Sequence, residues 1–471
     1  MNRRTFMMGS GASIAAGLAG LSLKANAQQP SRPNIVLVMA DDLGYGHLGC
    51  YGQQHIRTPH LDRLAENGVR FTNAYAGCPQ CAPSRSVLMT GLHAGHTPVR
   101  GNSGGIPLRE EDFTFAELLQ DSGYRTGLFG KWGLGDADTT GTPNKQGFDE
   151  FFGYLHQKHA HFYYTDYLWH NDERVPLPEN VNGQRRQYSH DVIMEKALDF
   201  IGAEGADPFF CFLSLSIPHH EWTVPKTSLQ EYSGTFDEHP PTYRWREGYA
   251  FPEEPKANMA AMITHMDKGI GQVMALLKDR GLSDNTLVIF TSDNGADSYS
   301  LACADFFKAN GDLRGYKYDM YEGGIRVPTI AHWPGRIAPG STNDSPWYFA
   351  DIMPTFADLA GAKEAIPTGI DGVSIAPLLT GSRSVPELND RFMYWEAGTV
   401  CAGRWGKWKI VRRDIDAPPE LFDLKNDAAE RRNVASNHPA IMAGLESKLD
   451  ESHRPARPQI EPDAPDGRYY R

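Results

Sequence analysis

Cys81-Ala82-Pro83-Ser84-Arg85, continuing through Ser86-Val87-Leu88-Met89-Thr90-Gly91, places a nucleophilic sulfur and a permanent cation one turn apart at the start of a helix. Pro83 suits a first helical turn, where its missing N–H costs nothing, and the residues after it are helix-compatible as far as Gly91. Cys81 then lies where free backbone N–H groups and the positive end of the dipole favour an anion. Arg85 reaches back to the same point with a fork of donors. A corner of this kind attracts a tetrahedral oxyanion. Taken alone, the run also suits a buried cysteine that caps a helix. Cys78-Pro79-Gln80-Cys81 reads as a CxxC as well, but no second CxxC and no suitably spaced histidine pair follows, which argues against zinc.

Four other clusters of reactive side chains each follow a short apolar run. Ile35-Val36-Leu37-Val38-Met39 has the continuous hydrophobicity of a strand buried on both faces and ends in Asp41-Asp42. Thr286 to Phe290 ends in Asp293-Asn294-Gly295, Thr126 to Phe129 in Lys131, and Phe209 to Leu215 in His219-His220. Open α/β sheets bind ligands beyond the carboxyl ends of their strands, so these clusters converge on one crevice. Asp41, Asp42, Asp293 and Asn294 offer only oxygen, which suits a hard cation, Ca²⁺ in preference to Mg²⁺. One Asp-Asp pair alone suits a turn or a helix cap. Two acidic pairs at two strand ends shift the balance, because adjacent buried carboxylates without a cation repel and force protonation.

The elements that must hold these residues alternate strand and helix, the pattern of an α/β fold with a large, mostly parallel or mixed sheet between helices. Met259, Met262, Ile263, Met266, Ile270, Val273, Met274 and Leu277 recur at three- and four-residue spacing and predict a core-facing helix stripe. A further helix is expected from Tyr348 to Leu359, and the polar stretch Ser233 to Pro255 reads as a surface excursion. After about residue 385, Arg391–Trp395 and Trp408–Val411 read as antiparallel strands, with a helix from Pro439 to Leu449. The expected division is residues 1–27 as an export signal, 28–384 as the main domain and 385–471 as a small C-terminal α+β domain.

Arg3-Arg4-Thr5-Phe6, an apolar run from Met7 to Leu23 and Ala25-Asn26-Ala27 read as a cleaved signal of the twin-arginine type, which implies export machinery as a partner and a periplasmic or secreted location. Cleavage removes Arg3, Arg4 and Lys24 and no acid, taking the formal charge from −12 to −15. So acidic a chain is not a nucleic-acid binder, and its positive charge must be concentrated where an anionic substrate sits. Six cysteines in 471 residues do not indicate a disulfide scaffold.

Cys-x-Pro-Ser-Arg followed by Thr-Gly resembles the signature of the type I, formylglycine-dependent sulfatases, in the bacterial arylsulfatase A-like branch of the alkaline phosphatase superfamily. The resemblance runs from Pro33-Asn34-Ile35 to Leu421-Phe422-Asp423-Leu424. It implies an alkaline phosphatase-like fold and an enzyme that hydrolyses sulfate esters, here of a sulfated carbohydrate. It also implies oxidation of Cys81 to formylglycine by a formylglycine-generating or sulfatase-maturating enzyme. In that family the aldehyde hydrate attacks sulfur, and the metal is held by the residue at 81 with Asp41, Asp42, Asp293 and Asn294. By the same resemblance Arg85, Lys131 and Lys317 bind the sulfate charge and His219 donates a proton to the leaving alcohol.

This chain departs from the family in one place. Many relatives read Gly-Lys-Trp-His-Leu-Gly, where the histidine assists the hydrate; here Gly133 stands in its place. His161, ahead of His159, is the expected substitute. Arg100, Asn102, His159, Tyr163 and Trp222 are expected on a sugar-binding rim, since aromatic faces contact sugar rings while polar groups select hydroxyls. The rival readings are a phosphomonoesterase or phosphodiesterase of the same superfamily, and an unmodified, non-catalytic binder of sulfated glycans.

Overall fold

The computed structural model describes residues 32–238, 249–250, 252–298, 301–382, 384–414 and 416–460, so the export signal expected at 1–27 lies outside the described residues. Among the described residues, ten strands form one twisted mixed sheet. They are β1 (Asn34–Ala40), β2 (Val69–Phe71), β3 (Arg125–Lys131), β4 (Glu150–Tyr154), β5 (Tyr167–His170), β6 (Glu173–Pro176), β7 (Phe209–Ser214), β8 (Thr286–Ser292), β9 (Thr329–His332) and β10 (Ser341–Asn343). Their order is β10-β2-β9-β8-β1-β7-β3-β4-β5-β6. The central run β8-β1-β7-β3-β4 is parallel, and antiparallel pairs flank it on both sides.

Strand β1 shows why this sheet is covered on both faces. Ile35, Leu37 and Met39 enter one core cluster and Val36, Val38 and Ala40 the other, the two-residue alternation of a pleated strand with no solvent face. On the first face lies helix α1 (Cys81–Thr90). On the second lie α2 (Ser189–Gly202) and α3 (Pro255–Asp279), the latter through Met262, Ile263, Met266, Ile270 and Val273 of the expected stripe. The helix expected from Tyr348 begins as a 3₁₀ turn at Phe349–Asp351 and is α-helical over Ile352–Ala360.

The C-terminal sheet contains four antiparallel strands, twice the expected pair: β11 (Phe392–Ala397), β12 (Val400–Trp405), β13 (Trp408–Arg412) and β14 (Glu420–Asp423). Tyr394, Ile410 and Leu421 face Leu445 and Leu449 of the last helix, α4 (Pro439–Ser452). Their neighbours Trp395, Val411 and Phe422 enter the first core cluster of the large sheet. The small sheet is thus wedged between its own helix and the main body. A buried ion cluster reinforces the seam: Lys409 Nζ lies 3.0 Å from Glu322 and 2.8 Å from Glu430.

Candidate active site

The parallel strands β1, β3, β7 and β8 all end on one edge of the sheet, and their reactive side chains meet there. Asp41 and Asp42 leave β1, Lys131 is the last residue of β3, and Asp293 follows β8. Backbone bonds continue the sheet past the strand ends: Asp41 N–H donates to Ile217 at 3.1 Å and Asp293 N–H to Ala40 at 3.0 Å. Asp42 has a left-handed backbone (φ 63), which turns its carboxylate back into the corner. Gly130, one residue before Lys131, must be glycine: its φ is 122 and a Cβ there would lie 1.9 Å from the Ser214 carbonyl oxygen. The close approach it permits seats Lys131 against β7.

Helix α1 brings Cys81 to the corner at its first position, as the spacing predicts, and every residue of the helix is buried. Its starting N–H groups are capped from a distance, Ala82 N–H donating to Asn102 Oδ1 at 3.0 Å. Cys81 Sγ lies 3.4 Å from Asp41 Oδ1 and 3.8 Å from Asp42 Oδ1. Arg85 forks onto Asp293 Oδ2 through Nε at 3.1 Å and a terminal nitrogen at 2.8 Å. Its other terminal nitrogen donates to the Lys131 carbonyl at 2.9 Å, tying α1 to β3. Lys131 Nζ lies 2.6 Å from Asp41, and Lys317 Nζ 2.7 Å from Asp42. His219 Nε2 stands 3.5 Å from Asp42 Oδ2, and its Nδ1 meets the His220 carbonyl.

Burial and charge divide these groups sharply. Burial would raise Asp41, but Lys131, Arg85 and Lys317 outweigh it and hold the carboxyl at about 2. Burial pushes Asp42 up to about 7; Lys317 offsets this in part, while Asp41, Asp297 and Asp293 add to it. Asp293 is likewise raised by burial and by Asp41, against Arg85. The Cys81 thiol is driven well above its ordinary value by burial, Asp293 and Asp41, so the sulfur itself is not a thiolate nucleophile here. Burial and the neighbouring His220 and His161 lower His219 well below 6.5.

The residues expected to hold a metal fit one. Asp41, Asp42, Asp293 and Asn294 present hard oxygen donors on two adjoining strand ends, and Asn294 Oδ1 is buried with no hydrogen-bond partner. A cation also relieves the repulsion that raises Asp42. Three carboxylates here face the three cations Arg85, Lys131 and Lys317. A divalent ion would leave two positive charges, the complement of a sulfate monoester together with one deprotonated nucleophile.

The expected rim residues fare differently. Asn102 is beside Cys81, but its Oδ1 serves the helix start and also accepts from Gln157 Nε2 at 3.3 Å. Arg100 is not a rim residue: its guanidinium is spent on Glu396 at 2.8 Å, the Thr97 carbonyl at 3.1 Å and the Arg454 carbonyl at 2.6 Å, fastening its loop to the C-terminal sheet. Tyr163 and Trp222, each 1% exposed, are core residues. The Tyr163 hydroxyl donates to the Ser216 and His219 carbonyls at 2.7 and 2.9 Å, and Trp222 donates to Pro218 at 3.1 Å. Both therefore shape the loop that carries His219. His159 is buried against Thr165 Oγ1 at 2.7 Å, with Tyr154 and Tyr167 around its ring, and lines a separate cavity.

His161 does reach the site, its ring stacked on His219 with centroids 4.3 Å apart and its Nδ1 against the Tyr249 hydroxyl. The space beside Gly133 is filled by another residue: a Cβ there would meet Gln157 Cγ at 2.8 Å. Sequence reasoning missed Gln157, and also Asp297, whose carboxylate lies 3.6 Å from His220 Nδ1.

Residues 33–362 match the family described as Sulfatase, and residues 315–455 match N-sulphoglucosamine sulphohydrolase, C-terminal. The chain belongs to the sulfatase family. Arylsulfatase A of Homo sapiens is 33% identical, the match covering 90% of this chain and 88% of that protein. N-acetylgalactosamine-6-sulfatase of Canis lupus familiaris is also 33% identical, over 83% and 73%. The crystal structure of Ps i-CgsB in complex with k-i-k-neocarrahexaose aligns with TM-score 0.75 and 28% identity, over 89% of this chain and 92% of that one. This sulfatase accordingly has the alkaline phosphatase-like fold expected from its sequence and is a sulfuric ester hydrolase.

Proposed function

We propose that this enzyme is an exported sulfatase that removes sulfate from a sulfated carbohydrate, using formylglycine formed from Cys81 and a divalent cation, Ca²⁺, at the acidic corner. The observation that carries the reading is the convergence of Cys81, Arg85, Lys131, Lys317 and His219 on Asp41, Asp42 and Asp293. When bound, the cation supplies Lewis acidity toward a sulfate oxygen from Asp41, Asp42, Asp293 and Asn294. Formylglycine at position 81, held against Asp41 and Asp42, would supply a nucleophilic hydroxyl and a second hydroxyl that permits release of sulfate. The net reaction consumes one water and yields the alcohol and sulfate.

The chain's own residues do the rest. Arg85, fixed by Asp293 and the Lys131 carbonyl, keeps its charge in place without reorganising as negative charge shifts. Lys131 and Lys317 neutralise Asp41 and Asp42 while leaving the sulfate pocket positive. His219, oriented through Nδ1 by the His220 carbonyl, presents Nε2 to the departing oxygen. The approach of an anionic ester raises the proton affinity that burial and neighbouring cations depress. His161, stacked on that ring, keeps His219 in this orientation, a different service from that of the histidine absent at Gly133, whose space holds Gln157.

A sugar substrate is supported by the k-i-k-neocarrahexaose named with a similar structure and by the N-acetylgalactosamine-6-sulfatases among the relatives. The test is hydrolysis of an aryl sulfate, an aryl phosphate and a panel of sulfated mono- and disaccharides by enzyme produced with a maturation partner, alongside Cys81→Ala. Sulfate release from the aryl ester and at least one sugar, abolished in the variant, supports the reading. Preferential hydrolysis of the phosphate contradicts it.

A further inference from the structure

A second cavity opens on the same edge of the sheet as the catalytic corner. Strands β4 and β6 run in the same direction as β3, because β5 between them is antiparallel to each. The loops leaving their carboxyl ends enclose about 370 Å³, the size of a small-ligand site. Its walls include Phe162, Tyr164, Tyr167, Gln184 and Arg185. It abuts the catalytic residues at two points: Phe162 directly follows His161, and Arg185 pairs with Glu221, the neighbour of His220. None of the catalytic roles above uses it.

The cavity's chemistry is that of a saccharide site with an anion reader. Tyr164 is a half-buried ring able to offer a face to the apolar side of a sugar, while Phe162 and Tyr167 line the wall with rings packed on Tyr249 and on His159 and Arg174. The Arg185 guanidinium lies 5.7 Å from the centroid of the Tyr164 ring. Its side chain is 48% exposed and its contact with Glu221 is long, at 3.5 Å. Glu221 also accepts from the backbone N–H of Ala250, so it does not depend on Arg185. The loop carrying Arg185 is organised in advance. Asn180, 5% exposed, donates to the Thr165 and Gln187 carbonyls at 2.7 Å each and accepts from the Arg186 and Gln187 N–H groups at 3.1 and 2.9 Å. A wall fixed in this way loses little entropy on binding.

We propose that this cavity is a subsite for the saccharide unit adjoining the sulfated one, with Tyr164 supporting its ring and Arg185 binding a carboxylate or second sulfate on it. The proposal rests on the enzyme being a carbohydrate sulfatase. It makes the preferred substrate an oligosaccharide with negative charge on neighbouring units.

The test compares kcat/KM for a sulfated disaccharide with a uronate next to the sulfated sugar, the matching sulfated monosaccharide, and an aryl sulfate. Wild-type enzyme should prefer the disaccharide to the monosaccharide. Arg185→Ala should lower the disaccharide-to-monosaccharide ratio about tenfold through KM, the loss of one charge-assisted contact, and Tyr164→Ala should lower it as well. An unchanged ratio in both variants, or no wild-type preference for the disaccharide, overturns the subsite while leaving the sulfatase reading intact. Hydrolysis of the aryl sulfate but of no sugar overturns the carbohydrate assignment and the subsite with it. Failure on all three sulfates, with residue 81 converted, overturns the sulfatase reading itself.

Discussion

Calcium affinity should depend on pH in a way set by Asp42. Burial and three neighbouring acids lift this carboxyl to about 7, so below that pH an incoming cation must displace a proton. Asp41, held at about 2 by Lys131, Arg85 and Lys317 against burial, is ionised throughout the working range and adds no slope. The logarithm of the Ca²⁺ affinity should then rise by at least about one for each pH unit up to pH ~7, more steeply where Asp293, also raised by burial and Asp41, keeps a proton, and flatten above it. Two units below the plateau, at about pH 5, binding should be weaker by at least ~100-fold, or about 2.7 kcal/mol. Between the unfolded value of 3.8 and about 7, the metal-free native state keeps a proton that the unfolded chain has lost. Its stability therefore falls as pH rises through this window, and Ca²⁺ opposes that fall. Titration calorimetry of chelator-stripped enzyme, repeated in two buffers of different protonation enthalpy, reads both affinity and proton release. At least about one proton per Ca²⁺ at acidic pH, vanishing above about pH 8, is expected. A pH-independent affinity with no proton release would refute the placement of Asp42 among buried carboxylates whose repulsion Lys317 offsets only in part.

Four substitutions probe the rest of the site and the seam to the C-terminal sheet. Arg85→Lys keeps the charge but loses the fork onto Asp293 and the bond to the Lys131 carbonyl, so kcat for an aryl sulfate should fall about 100-fold or more; near-normal turnover would show that charge alone suffices. His161→Ala removes the ring stacked on His219 and should lower kcat about 10- to 100-fold. His159→Ala deletes a core contact to Thr165 and should cost about 1–2 kcal/mol of stability with little effect on kcat; equal kinetic effects would refute the separation of the two histidines. Lys409→Met removes the cation shared by Glu322 and Glu430 in the seam to the C-terminal sheet, leaving Glu322 its contacts with Arg326 and the Tyr75 hydroxyl, and should destabilise by about 3 kcal/mol, seen in thermal unfolding.

Most of the corner was readable from sequence because its residues follow a buried apolar run or start a helix, and strand ends in a parallel sheet share an edge; Lys317 does neither and was expected only from the family resemblance. Asp41, Lys131, His219 and Asp293 all obey this rule. The rim was not readable, because aromatic and polar types in loops carry no periodicity that separates core from surface. Tyr163 and Trp222 anchor the His219 loop from within, and Arg100 serves the C-terminal sheet about 300 residues away in sequence, a pairing that no local pattern announces. The strands β12 and β14 escaped notice for a related reason. Val400–Trp405 contains Gly403 and Arg404, whose buried side chain donates to the Tyr75 hydroxyl across the seam and to the Gly406 carbonyl. Gln157 in the space beside Gly133 could be found only in three dimensions.

The measurement that bears most directly on the mechanism is peptide mass spectrometry across Cys81 in enzyme taken from the exported fraction, with an aryl sulfate assay on the same sample. Conversion of the thiol to an aldehyde lowers the peptide mass by about 18 Da, and this loss should accompany sulfate release in proportion. Full activity in material whose residue 81 is an unmodified cysteine would contradict the central claim.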